Sequence, residues 1–388
     1  MSPRSAVLER VESASSLDSM FAPAPVRSRP SVAPVRTARI KVDKISSSSS
    51  LVPLKSEVDV LPELRSARSG DVIVVRVISE NKSYNQLELV HGRMAKIQTQ
   101  DLVVGVLGAR KALKGFVGEV PQSLKEGEQL HLLNMGGVMG RCTGFHQELG
   151  GPIRVEFVGA VAIRGRSVNI GDYALPAVEQ IVSSAPIVVV AGTCMHAGKT
   201  HAAGELIKQF TRSGLKVSAA KLSGVACLKD ALNMQDHGAL ETLTFHDCGL
   251  PSTVGVGDLA PVARSIIAKL NEKNPDLIVV ELGDGIIGGY NVDSVLADAE
   301  LRSFFGAVVF CASDFVGAWG GIELLRQKGI AIDVITGSCT DSAMGVELIE
   351  DRFGVRAANA LTGGATLAGI VDQKVQEWLA RRRELSCN

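Results

Sequence analysis

A glycine-bracketed loop, set between an apolar strand and an amphipathic helix, narrows the folds open to this chain more than any other segment. Residues 187–191 form a continuous apolar run. The run leads into Gly192-Thr193-Cys194-Met195-His196-Ala197-Gly198-Lys199-Thr200. Helical spacing then follows over residues 199–212, with Ala203, Leu206, Ile207 and Phe210 on one face. A multiply charged phosphate needs several backbone N–H donors that point one way. A glycine-rich turn at a helix N-terminus supplies them, and the helix dipole adds to the attraction. In that setting Gly192, Thr193, Gly198, Lys199 and Thr200 are the expected phosphate-binding residues, with Lys199 reaching the outer phosphates and the Thr200 hydroxyl placed for Mg²⁺.

The loop's surroundings predict an α/β region over residues 184–388. Short apolar runs at 215–220, 277–280, 307–311 and 332–336 alternate with helical stretches such as 261–271 and 320–328. Such alternation predicts a mostly parallel sheet covered by helices. A last helix is expected over 371–383, its closing Arg381-Arg382-Arg383 suiting a helix C-terminus.

The first half reads differently. Over residues 68–175, β-branched runs at 71–78, 87–90, 102–107, 129–133 and 153–161 are separated by glycine-containing turns. Without long helices between them, these strands predict a small all-β, barrel-like domain. The glycines of Asn134-Met135-Gly136-Gly137-Val138-Met139-Gly140 suit either sheet corners or close approach to a ligand. Residues 1–55 hold six of the 14 prolines and the run Ser46-Ser47-Ser48-Ser49-Ser50, with no apolar period, and are expected to be a disordered tail.

Composition removes other classes. The 41 basic and 41 acidic residues cancel, so no basic excess points to nucleic acid or an anionic membrane. The seven scattered cysteines do not form a disulfide framework. The expectation is a cytoplasmic protein acting on a small molecule, without nucleic acid or membrane partners, with a homodimer as the assembly kept open.

The loop resembles that of dethiobiotin synthetase and the cobyrinic acid amidases, because five residues separate Gly192 from Gly198 and Gly-Thr opens it. Ala220-Lys221-Leu222-Ser223-Gly224 is similar to that group's Lys-Pro-x-x-Ser-Gly segment, without the proline. Val280-Glu281-Leu282-Gly283-Asp284-Gly285 resembles its Val-Glu-Gly-x-Gly-Gly, whose glutamate binds Mg²⁺. The resemblance covers residues 186–336 and leaves the first half unmatched. Cys194 stands where the more distant partition ATPases carry a second lysine, which argues against that type of ATPase.

The resemblance implies ATP and Mg²⁺, with Thr200, Glu281 and Asp236 as metal ligands and Asp230 and Asp284 as competing candidates. A carboxylate such as Glu281 at the C-terminal end of an apolar strand stands where open α/β sheets bind ligands. Lys199 and Lys221 are the expected catalytic cations, neutralising charge that develops during transfer. The function expected is an ATP-dependent ligase or phosphoryl-transfer enzyme that activates a small carboxylate or carbamate. The alternative is a nucleotide-dependent regulatory switch ATPase acting on a protein partner.

Overall fold

Two large sheets, one from each half of the chain, dominate the described residues, with two small two-stranded sheets beside them. The computed structural model describes residues 37–82 and 84–386. In the first half, β1 (Ala38–Lys41) pairs with β2 (Glu57–Leu61), which pairs with β7 (Arg154–Ile163). Four further strands are β3 (Val72–Val77), β4 (Leu102–Leu107), β5 (Gln129–Leu132) and β6 (Val138–Phe145). Their hydrogen bonds run in a closed circuit, β7 to β3 to β4 to β6 to β5 and back to β7. Only the β4–β6 ladder in that circuit is parallel. Strand β3 is buried on both faces: Ile73, Val75 and Val77 enter one apolar cluster, and Val72 and Val74 another. Each such side chain stabilises the fold by about 1.5–3 kcal/mol when fully buried.

The expected tail is corrected over residues 37–55. Four serines of the run are buried and hydrogen-bonded, with Ser46, Ser47, Ser48 and Ser49 each at most 3% exposed, and Ser50 is exposed. The Ser46 amide donates to the Val104 carbonyl at 3.1 Å, the Ser48 amide to that of Gly136 at 2.8 Å, and the Ser49 hydroxyl to that of Ser46 at 2.8 Å. Hydroxyl-rich residues pack inside when each polar group finds a partner, which composition alone does not reveal. The rest of the expected tail, residues 1–36, lies outside the described residues.

The second sheet has seven strands: β8 (Ile187–Gly192), β9 (Val217–Ser223), β10 (Thr242–Thr244), β11 (Leu277–Leu282), β12 (Phe305–Cys311), β13 (Val334–Thr336) and β14 (Arg356–Ala357). Their order across the sheet is β10-β9-β11-β8-β12-β13-β14, and every ladder is parallel. The long helices are α1 (Lys199–Arg212), α2 (Leu228–Asp236), α3 (Ala260–Asn271), α4 (Phe315–Gln327), α5 (Ala343–Phe353) and α6 (Gly364–Ser386).

Alternation along β8 shows why its sequence is apolar without a break. Ile187, Val189 and Ala191 pack on the face that also holds Ile266 and Ile267 of α3 and Leu325 of α4. Val188 and Val190 pack on the opposite face with Leu206, Ile207 and Phe210 of α1 and Val371 of α6. A central strand covered on both sides has no polar face. This order also puts β8 between β11 and β12. The loops leaving β8, β9 and β11 therefore meet at one edge, where such sheets bind ligands.

Candidate functional site

The loop after β8 is shaped by one left-handed glycine and one close approach. Gly198 caps α1 with φ +101°, a conformation that L side chains rarely adopt. At Gly285, beyond β11, an added Cβ would lie 2.1 Å from the Thr193 carbonyl oxygen, so the loops after β8 and β11 touch backbone to backbone. Thr193 is tied in turn to β12, its amide donating to the Cys311 carbonyl at 2.9 Å.

Above this edge lies a cavity of about 480 Å³, within the usual range for small-molecule sites. From the expected set, Gly198, Lys199, Thr200, Lys221 and Glu281 line it, together with Asp230 and Asp284. Gly192 and Thr193 sit beneath, at the strand end. His196 is exposed on the loop with φ +68°.

The charged groups converge. The Thr200 hydroxyl donates to Glu281 Oε1 at 3.0 Å. Glu281 is 2% exposed, and its second oxygen, Oε2, is buried with no hydrogen-bond partner among the described residues. Lys221 Nζ donates to Asp230 Oδ2 at 2.6 Å and stands 3.9 Å from Glu281 Oε1. Burial alone would lower the Lys221 pKa, but the carboxylates of Asp230 and Glu281 outweigh it and hold the ammonium above the ordinary lysine range. Lys199, 5% exposed, donates from Nζ to the Cys194 carbonyl at 2.7 Å. Its pKa is lowered, chiefly by burial, against the opposing pull of nearby acidic groups, Glu281 and Asp284 among them. Burial raises the pKa of Asp284, partly offset by Lys199 and by the amides of Gly285 and Met195.

An oxygen pair from Thr200 and Glu281, with one carboxylate oxygen unused, fits a hard cation such as Mg²⁺ that takes few protein ligands and fills its shell with phosphate and water. Asp236 is not part of this cluster. It ends α2, is exposed and does not line the cavity, whereas Asp230 in the first turn of the same helix does. A helix rises about 1.5 Å per residue, so the six-residue step from Asp230 carries Asp236 roughly 9 Å farther along the axis.

The cavity also has a wall that the loop motif did not announce. Tyr84, Arg110, Asn134 and Met135 reach it from the first half, and Tyr290 from the loop after β11. The Arg110 strand is fixed to that loop by the Lys111 amide, which donates to the Tyr290 hydroxyl at 3.1 Å. Of the glycine-rich segment after β5, Asn134 and Met135 face the cavity, while Gly136 gives close packing. An added Cβ there would lie 2.2 Å from the Ala226 carbonyl oxygen. Behind the wall, buried Glu88 accepts the Leu228 and Lys229 amides at 2.6 and 2.7 Å, capping α2 from the other half of the molecule.

No protein-family model matches the chain, and no curated protein matches it. Among solved structures, the chain is similar to the 54 kDa signal recognition particle protein of Aeropyrum pernix K1 at 18% identity and a TM-score of 0.34, covering 56% of this chain and 54% of that one. It is also similar to chloroplast FtsY of Physcomitrella patens (16% identity, TM-score 0.35, 50% and 67% covered). A third is the cell division protein FtsY of Thermotoga maritima (14% identity, TM-score 0.34, 52% and 74% covered). The chain thus spans about half the length of the first of these. None of the three is a dethiobiotin synthetase. Among the described residues, no helix is long and apolar enough to cross a membrane.

Proposed function

We propose that the protein binds a magnesium nucleoside triphosphate at the loop after β8 and transfers its γ-phosphoryl group to a small molecule held against the first half. The observation that carries this reading is the Thr200–Glu281 pair, a buried carboxylate with an unused oxygen beside a loop lysine. Thr200 and Glu281 would hold the metal, with Asp230 paired to Lys221 behind them. The bound metal would neutralise phosphate charge. Lys199 would bind the outer phosphates, and Lys221 would stabilise charge developing on the transferred group. In the transfer, a co-substrate oxygen bonds to the γ-phosphorus. The P–O bond to the β-phosphate breaks, and the nucleoside diphosphate leaves with the electron pair. A carboxylate or carbamate as acceptor would yield a mixed anhydride open to attack by an amine, the ligase chemistry expected in the sequence analysis. ATP is the nucleotide of this reading, and we place the protein among soluble cytoplasmic enzymes.

A second reading, a nucleotide-dependent switch acting on a protein partner, draws support from the Glu88 cap. Asp230 on α2 touches Lys221 in the site, and the start of α2 is held by the other half. A change at the phosphates therefore has a mechanical route outward.

Calorimetric titration with non-hydrolysable ATP and GTP analogues, with and without Mg²⁺, tests the shared core of both readings. One nucleotide should bind in a Mg²⁺-dependent manner, and Lys199→Ala should weaken it at least ~10-fold, the loss of one charge-assisted contact of ~1.5–3 kcal/mol. Wild-type affinity in the variant, or no binding of either analogue, contradicts it.

A further inference from the structure

Two buried cations on the cavity wall, one from each half, have no carboxylate within ion-pair distance among the described residues. Lys199 is one, and the nucleotide phosphates answer its charge in the proposed function. Arg110 is the other. It is 8% exposed, and its Nε is buried without a hydrogen-bond partner. Its Nη1 donates to the Leu133 carbonyl and, at 3.2 Å, to the Tyr84 hydroxyl, while the guanidinium lies 6.0 Å from the Tyr84 ring centroid. All of these partners are neutral. Lys221, by contrast, is matched by Asp230 and Glu281.

A guanidinium withdrawn from water without a counter-charge is costly unless an anion joins it. Its planar fork suits a carboxylate, which it can hold through two parallel hydrogen bonds. The phosphates already have the loop amides, Lys199 and the metal pair, all on the α/β side of the cavity. We infer that Arg110, oriented by Tyr84 and flanked by Tyr290, forms a subsite for a carboxylate of the co-substrate, on the wall contributed by the first half. The substrate class is then a small organic acid, its carboxylate gripped by Arg110 and its reacting oxygen turned toward Lys199 and Lys221. This inference rests on the proposed function for the second anion but not for its own test.

The probes are acetate, succinate and glutarate, with succinamide as the neutral control, each titrated into the full chain with and without a bound non-hydrolysable nucleotide and Mg²⁺. At least one acid should bind, and succinamide should not. Arg110→Gln should weaken acid binding at least 10-fold, and Arg110→Lys, which keeps the charge without the fork, should weaken it less. Nucleotide affinity, measured on the same samples, should change less than threefold in both variants. Should Arg110→Gln fail to fold, Tyr84→Phe, which removes the orienting hydroxyl, should weaken acid binding with the fold intact. Absence of acid binding in the wild type, or equal binding in wild type and variants, overturns the subsite. A tenfold loss of nucleotide affinity in Arg110→Gln overturns it too, because Arg110 would then serve the phosphates. Failure of nucleotide to bind at all counts against the proposed function instead, since acid binding is also read without nucleotide.

Discussion

At the scale of single residues, Lys221 is the one cation of the cavity, among the described residues, that carboxylates pair directly. Its ammonium is held between half-buried Asp230 and buried Glu281. Because this lysine's pKa is raised on folding, the pair's contribution to stability is fully present at neutral pH. It is lost only as pH climbs through the raised value, above the ordinary lysine range. Asp230→Asn should therefore cost about 1.5–3 kcal/mol at neutral pH, the worth of a hydrogen bond to a charged group. The cost should shrink in strongly alkaline solution. Thermal melts across pH check this, and an unchanged melting temperature at neutral pH would show that Glu281 alone suffices for Lys221. Which aspartate serves the site was not legible in the sequence. Asp230 and Asp236 both lie at plausible distances after Lys221, and only the start point of α2 decides which one faces the sheet edge.

At the scale of elements, the strands and first helix around the loop were readable because their signals are local. The α1 face of Ala203, Leu206, Ile207 and Phe210 is buried as the helical spacing requires, and the apolar run of β8 lies at the centre of the sheet. What escaped is whatever depends on contacts between distant segments. The α2 helix lacks a side-chain cap of its own: its N-cap residue, Cys227, makes no cap hydrogen bond, and Glu88, 140 residues earlier, supplies one instead. A carboxylate at a helix N-terminus satisfies free amides and complements the dipole. Glu88→Gln should cost about 1–2 kcal/mol. It should also speed hydrogen exchange in the first turn of α2 more than in α3. Uniform acceleration across both helices would mean that Glu88 supports the whole fold and not this helix end.

At the scale of the whole molecule, the two halves share one cavity, and Thr37–Asn388 forms one compact unit. The first half is joined to the second through the Ser48 carbonyl, 2.7 Å from His246 Nε2, and through the Lys111–Tyr290 contact. Residues 37–55 belong to this union, although their serine and proline content resembles that of a linker. A chain beginning at residue 56 should melt well below one beginning at residue 37, because it loses β1, the buried serines and the Ser47 hydroxyl bond to Glu88. Equal melting temperatures would show that this segment only covers a body that is stable without it. The Arg110 wall was invisible in the sequence for a related reason: nothing local joins Tyr84, Arg110 and Tyr290 to a loop about a hundred residues away from each of them in the chain.

The proposed metal-dependent nucleotide site is built around Glu281, and ligand-linked melting of the wild type and Glu281→Gln tests it most directly. The glutamine keeps the shape and removes the charge that would face Mg²⁺. Without ligand, the variant should melt close to the wild type, because the charge lost 3.9 Å from Lys221, a lysine that Asp230 still pairs, is offset by relief of the unsatisfied buried oxygen. With nucleotide and Mg²⁺ together, the wild type should gain stability by mass action and the variant clearly less. Omitting Mg²⁺ should narrow the gap between them. A variant that is badly destabilised with no ligand present, or one that gains as much as the wild type from magnesium nucleotide, would contradict the account and make Glu281 a structural partner of Lys221 and Thr200.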